Sequence, residues 1–204
     1  MIGIINCGTN NIQSLVNAFN LINVNNFLID ETKDFNKAHA LVLPGVGSYK
    51  SGIDNLKKKG FDEQIYKNVI IKGKLILGIC LGMQLLSDIG YEYGVHKGLG
   101  LINSKVIKFK KINNSFKIPH IGWNDINILK KDNIFKRIED FTDYYFVHSY
   151  HLVPRKKSII TSECEYGEKF VSSIQEDNIY ATQFHPEKSQ EQGIELLKNW
   201  VDLI

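Results

Sequence analysis

Short apolar runs alternate with amphipathic segments over the first hundred residues. Ile2 to Ile5 is an apolar run of strand length. The turn-forming stretch Gly8-Thr9-Asn10-Asn11 separates it from Ile12 to Leu21, where Ile12, Leu15, Val16 and Phe19 recur at helical spacing. Val24 to Ile29 returns to strand, and Ala40 to Leu43 is a third apolar run, stopped by Pro44-Gly45. Helical segments follow near Ile53 to Lys58 and Asp62 to Ile71, then the apolar run Lys74 to Ile79. Strands that are apolar along their whole length, alternating with helices, predict a mostly parallel sheet covered by helices on both faces.

After about residue 100 the rhythm changes. Val106 to Phe109, Tyr144 to Val147, Ile159 to Ser162, Phe170 to Ile174 and Ile179 to Phe184 are strand-like with short connections. They predict antiparallel or mixed strands appended to the first sheet. A last helix, Gln190 to Leu203, places Ile194, Leu197, Trp200 and Val201 on one face. With no repeat, low-complexity tract or linker-like stretch, residues 1–204 read as one α/β domain.

Composition narrows the function classes. A hydrophobic fraction of 43% with 23% charged residues is ordinary for a globular chain and argues against long disorder. The net charge of +3 is carried by scattered groups such as Lys57-Lys58-Lys59 and Arg155-Lys156-Lys157, with no basic stripe, so nucleic-acid binding is not expected. No run has the length of a membrane span, and the start lacks the basic and apolar regions of a signal peptide. Three irregularly spaced cysteines fit neither a disulfide framework nor a metal site; a reducing cytoplasm is the expected setting, without cofactor or metal. Cys7 and Cys164 read as small, inert residues.

Cys80 is different. Gly78-Ile79-Cys80-Leu81-Gly82 joins the apolar run ending at Ile79 to a helical start at Leu81 to Leu86. A nucleophile on a sharp strand-to-helix turn needs small neighbours, and Gly-x-Cys-x-Gly is the thiol counterpart of the Gly-x-Ser-x-Gly elbow. The helix that follows directs its N-terminus at the sulfur, which favours the thiolate. Two further segments also stand at strand ends: Pro44-Gly45-Val46-Gly47, and His185-Pro186-Glu187 after Tyr180 to Phe184. Ligands of open α/β sheets sit beyond the carboxyl ends of the strands, so the three segments can converge. Cys80 would be nucleophile, His185 would take and return a proton, and Glu187 would orient the imidazole. Backbone N–H groups of Gly45, Val46 and Gly47 would meet an oxyanion.

These residues resemble those of the class I (triad) glutamine amidotransferases over essentially the whole chain. The resemblance implies a flavodoxin-like fold and hydrolysis of the glutamine side-chain amide through a cysteinyl thioester. Finer marks are Gly78-Ile79-Cys80-Leu81-Gly82-Met83-Gln84, His120-Ile121-Gly122-Trp123-Asn124, Tyr145-Phe146-Val147-His148-Ser149-Tyr150 and Gln183-Phe184-His185-Pro186-Glu187-Lys188-Ser189. They are most similar to the branch of that family that supplies glutaminase subunits to imidazole glycerol phosphate synthase, in histidine biosynthesis. A paralogous branch feeding a sugar amidotransferase in surface-polysaccharide biosynthesis is the alternative.

The resemblance adds the backbone of Leu81 to the oxyanion site and assigns Gln84, Glu92, His148, Ser149 and Tyr150 to binding glutamine. It implies a heterodimer with a (β/α)8-barrel synthase subunit, docked near Asn11, Trp123 and Lys188. Low turnover without that partner is also implied, with the oxyanion loop around Val46 unproductive until the partner is loaded. One amidotransferase domain uses all the residues, so a separate acceptor of the ammonia is expected. Some roles stay open on the residues alone: Glu92 also fits an exposed loop carboxylate, Tyr145 and Tyr150 also fit core aromatics, and Trp123 also fits a buried core position. The first turn departs from the family's pattern, since Asn10 stands where glycine is usual.

Overall fold

The computed structural model describes residues 1–8, 12–110 and 116–204. Among them the first half runs β1 (Ile2–Ile5), α1 (Ile12–Leu21), β2 (Asn26–Ile29), β3 (Ala40–Leu43), α2 (Tyr49–Lys58), α3 (Phe61–Tyr66), β4 (Ile76–Ile79), α4 (Leu81–Leu85), β5 (Ser87–Gly90) and β6 (His96–Lys97). The second half runs β7 (Ile102–Lys108), β8 (His120–Ile128), β9 (Thr142–His148), β10 (Tyr150–Pro154), β11 (Ile160–Tyr166), β12 (Glu168–Glu176), β13 (Ile179–Thr182) and α5 (Gln190–Val201).

The larger sheet has the order β2-β1-β3-β4-β13-β12-β11-β8-β9. Its first part, β2 through β13, is parallel, and the remainder pairs antiparallel. Alternation along each parallel strand divides the core into two layers. Ile2, Ile4, Ala40, Val42, Leu77 and Ile79 face α1 and α5, where Leu15, Phe19, Leu197 and Trp200 are buried with them. Ile5, Leu41, Leu43 and Ile76 face the other layer, with Ile53 and Leu56 of α2 and Phe61 and Ile65 of α3.

The fold is the expected mixed α/β architecture, with one correction. Val106 to Phe109 is not appended to the main sheet. Val106 lies in β7 of a second sheet, ordered β10-β7-β5-β6, which covers the second core layer through Val106 and Leu152. Strands β5, β6, β8 and β10 have no counterpart in the apolar pattern. In β8 the burial alternates unevenly and Ile121 and Trp123 lie exposed, so no apolar run marks it.

Helix α2 begins four residues before the predicted segment, because Ser48 caps it by accepting the Ser51 N–H at 3.3 Å, an interaction worth about 1 kcal/mol. Helix α3 continues into a widened turn at Lys67–Ile71, closed by the Lys72 N–H on the Lys67 carbonyl at 3.1 Å. No helix among the described residues is long and apolar enough to cross a membrane.

Candidate active site

Cys80 stands between β4 and α4 with φ 54° and ψ −110°, a conformation costly for a residue bearing a side chain. Neighbouring strands hold it there: the Cys80 N–H donates to the Thr182 carbonyl of β13 at 2.8 Å. Gly82 of the elbow is required by packing, and Gly78 sits in a tight place. A Cβ on Gly82 would lie 1.7 Å from the Leu43 carbonyl oxygen, and one on Gly78 would lie 3.0 Å from the Met83 nitrogen. Helix α4 spans only Leu81–Leu85, so what it turns toward the sulfur is the N–H groups of a single short turn.

His185 follows β13 after Gln183 and Phe184 rather than directly, because the strand ends at Thr182. Its position is fixed from two sides. The His185 N–H donates to the Tyr145 carbonyl at 2.9 Å, and Ser189 Oγ donates to the His185 carbonyl at 2.6 Å while accepting the Tyr145 N–H at 3.0 Å. Its Nδ1 lies 2.8 Å from Glu187 Oε1, with both side chains 2% exposed or less. The buried Nε2 has no well-aligned hydrogen-bond partner. Burial opposes the charged ring, but the Cys80 sulfur and the Glu187 carboxylate outweigh it, and the His185 pKa is raised to about 10. The imidazole therefore holds its proton readily when the sulfur is anionic. Cys80, His185 and Glu187, brought from distant parts of the sequence, form one interacting group.

A cavity of about 230 Å³ opens beside Cys80. That is below the usual range for drug-sized ligands, roughly 300–1,000 Å³, and suits a small molecule. Val46, Gly47, Leu81, Gln84, Glu92, His148, Ser149 and Tyr150 all line it, together with Pro119 and Val147.

Gly45 does not line the cavity. It lies beneath Leu81, where an added Cβ would meet the Leu81 Cβ at 2.9 Å, and so lets the loop after β3 close onto α4. Gly47 has φ 107°, with open space around it. Glu92 is not a free loop carboxylate: its Oε2 accepts the Tyr49 N–H at the start of α2 at 2.5 Å. Tyr150 lies in the cavity wall rather than the core, and burial, followed by the charge of Glu92, raises its pKa.

His148 is buried in the cavity wall. Burial holds its pKa well below the ordinary value, so the ring is neutral. Its Nδ1 faces the Tyr150 carbonyl at 2.9 Å and its Nε2 faces His120 Nδ1 at 3.1 Å. His120, lowered to about 4 by burial, stacks against Tyr166 at 3.9 Å.

Trp123 is 47% exposed on β8, which removes the core reading. It meets Tyr145 edge-on at 6.1 Å, and Lys188 Nζ lies 5.7 Å from the centre of the same Tyr145 ring. Asn11, with Asn10 and the rest of its turn from Thr9, lies outside the described residues.

Sequence reasoning assigned no role to Gln183, Tyr49 or His120. Gln183 and His120 stand inside segments that carried the resemblance, but only the fold brings Gln183 against Cys80 and His120 against His148. Tyr49 had no signal, since its contact with Glu92 spans 43 positions.

A strained cysteine elbow, a buried histidine–glutamate pair and a small cavity thus lie together beyond the carboxyl ends of the parallel strands. The family model for class-I glutamine amidotransferases matches residues 3–203, and the chain belongs to that family.

Among similar proteins is imidazole glycerol phosphate synthase subunit HisH 1 of Campylobacter jejuni, 48% identical over 203 residues and covering 100% of both chains. The subunit HisH of Pelagibacter ubique is 42% identical, with 98% of each chain covered. Among solved structures, PurLQS of Thermotoga maritima superposes with a TM-score of 0.75 at 18% identity, covering 99% of this chain and 97% of that one. A glutamine amidotransferase of Thermotoga maritima gives 0.65 at 16% identity, covering 99% and 80%. These structural likenesses carry the fold alone.

Proposed function

We propose that the chain is the glutaminase subunit of an imidazole glycerol phosphate synthase, releasing ammonia from glutamine for a separate (β/α)8-barrel subunit. The observation that carries this reading is the full-length identity of 48% to a relative of that name, joined to a Cys80–His185–Glu187 group beside a small cavity. The names of the similar proteins support the histidine pathway over the sugar-modifying alternative.

The chemistry follows from the site. The Cys80 thiolate attacks the side-chain carbonyl carbon of glutamine and forms a C–S bond. Backbone N–H groups at Val46, Gly47 and Leu81 stabilise the developing oxyanion, each donor worth about 3 kcal/mol of barrier. His185 gives its proton to the departing nitrogen as the C–N bond breaks, leaving a thioester and ammonia. It then takes a proton from water, whose oxygen attacks the thioester and releases glutamate and the sulfur. Glu187 holds the ring through Nδ1, so that Nε2 does the proton work. Glu92 and Tyr150 receive the ammonium end of glutamine, while Gln84, His148 and Ser149 shape the wall.

Ammonia would protonate in bulk water, so a docked acceptor is part of the reading. Exposed Trp123, with the half-buried Tyr145 and Lys188, adjoins the His185 segment and has the aromatic character of an interface anchor. The test is ammonia release with and without a (β/α)8-barrel synthase partner loaded with its nucleotide substrate. Turnover that rises at least tenfold with the loaded barrel, and is absent in Cys80→Ala, supports the proposal. Equal turnover with and without the barrel would reject the coupling.

A further inference from the structure

We propose that Gln183 is a further catalytic residue, a buried carboxamide that donates a hydrogen bond to the Cys80 sulfur and is itself held by Gln84 in the cavity wall. This rests on the reading of Cys80 as the nucleophile. The Gln183 side chain has no access to water, and its backbone N–H is anchored on the Ser172 carbonyl at 2.8 Å. Its Nε2 lies 3.7 Å from Cys80 Sγ, and its Oε1 lies 3.0 Å from Gln84 Nε2.

The orientation of the whole chain of contacts is set by one acceptor. The Tyr150 carbonyl can only accept, so the Gln84 atom 2.8 Å from it is the amide nitrogen. That same nitrogen faces Gln183, so the Gln183 atom there is the oxygen, and the Gln183 NH2 is turned to the sulfur. The Tyr150 carbonyl also takes the proton on His148 Nδ1, which leaves His148 Nε2 to accept from His120 Nδ1. Donation thus runs from His120 through His148 to the Tyr150 carbonyl, and from Gln84 both to that carbonyl and through Gln183 to the nucleophile. A buried network satisfied at each of these links is rigid.

The consequence is chemical. A donor aimed at the sulfur favours the thiolate over the thiol and fixes the sulfur's direction toward the cavity. As a thiol, Cys80 instead has the Val147 carbonyl as acceptor, at 3.8 Å. The titratable groups around the sulfur are His185, backed by Glu187, and the neutral His148, with Glu92 and Tyr150 across the cavity. Gln183 adds a neutral donor that does not depend on the protonation of any of them.

Two variants separate the roles. Gln183→Glu retains the oxygen that accepts from Gln84 but loses the donor to the sulfur. Gln183→Leu loses both. In the full-length chain, iodoacetamide alkylation of Cys80 is followed from pH 5 to 10 by peptide mass, with buried Cys7 and Cys164 as internal references. Glutamine turnover is measured alongside, and thermal melts establish folding. Both variants are expected to move Cys80 alkylation to higher pH and to lower kcat roughly tenfold or more. KM stays near the wild-type value in Gln183→Glu and rises in Gln183→Leu. Folded Gln183→Glu with an unshifted alkylation profile and unchanged kcat would overturn the proposal. Wild-type Cys80 reacting no faster than Cys7 and Cys164 would instead overturn the nucleophile assignment, and this proposal with it.

Discussion

Glu92 accepts the backbone N–H of Tyr49 at 2.5 Å, so a carboxylate in the cavity wall also holds the far end of the loop Gly45-Val46-Gly47-Ser48. One oxygen serves the start of α2, and in the proposed function the carboxylate also meets the ammonium of glutamine. Glu92→Gln keeps an acceptor for Tyr49 but loses the charge that pairs with an ammonium. A charge-assisted hydrogen bond is worth about 1.5–3 kcal/mol. Glu92→Gln is therefore expected to raise KM for glutamine about 10- to 100-fold with a much smaller change in kcat. Glu92→Ala, which also releases the loop, should lower kcat as well. Steady-state kinetics of both variants in the presence of the synthase partner check this.

The glycines of the site are required for different reasons. A Cβ on Gly82 would collide with backbone, the Leu43 carbonyl, at 1.7 Å. Gly82→Ala should cost at least about 3 kcal/mol of stability, the upper part of the range for overpacking, and displace the elbow. Gly47 has free space but φ 107°, so Gly47→Ala should cost about 1–3 kcal/mol through backbone strain and alter the loop. Urea denaturation paired with turnover distinguishes the two: Gly82→Ala loses the fold, whereas Gly47→Ala stays folded and loses activity.

Glu187 raises the His185 pKa through its hydrogen bond and its charge. Glu187→Gln retains the size of the side chain but removes that charge. Loss of the orienting carboxylate in a comparable triad costs roughly 10⁴-fold in kcat. A loss of at least about 10²-fold is expected here, with the alkaline limb of the pH–rate profile moved to lower pH. A profile unchanged in both height and shape would contradict the role of Glu187.

Buried neutral histidines make stability depend on pH. His120 binds a proton near pH 6.5 when unfolded but only near 4 when folded, because burial disfavours the charged ring. Between those values the unfolded chain holds more protons, so stability falls as pH drops from about 6.5 to 4. His148 and His151, also lowered by burial, act in the same direction. His185 acts oppositely: its contribution is present below pH 6.5 and is lost as pH rises through about 10. Urea midpoints should fall between pH 7 and 4.5, and His120→Phe should flatten that fall.

How much of this was readable from the chain alone follows from the range of each interaction. The parallel strands were legible because burial on both faces makes Ala40–Leu43 and Ile76–Ile79 apolar throughout. The elbow was legible because its crowding forces glycine at position 82 and disfavours larger residues at 78. Cys80, His185 and Glu187 could be grouped in advance because each stands in a compact motif near a strand end. The second sheet was not: β5 pairs with β7 and β7 with β10, and nothing in the periodicity of Ser87–Gly90 or Tyr150–Pro154 names a partner. The Gln84–Gln183 contact spans 99 positions, and two glutamines carry no sign in sequence that their amides meet beneath a sulfur.

The most direct test of the central claim is acid quenching of the enzyme during turnover with glutamine, followed by peptide mapping. The account predicts one glutamyl group on the peptide containing Cys80, lost on longer incubation without glutamine and never formed in Cys80→Ser. Glutamate accumulating at full rate in Cys80→Ser, or a glutamyl group found on any residue other than Cys80, would contradict it.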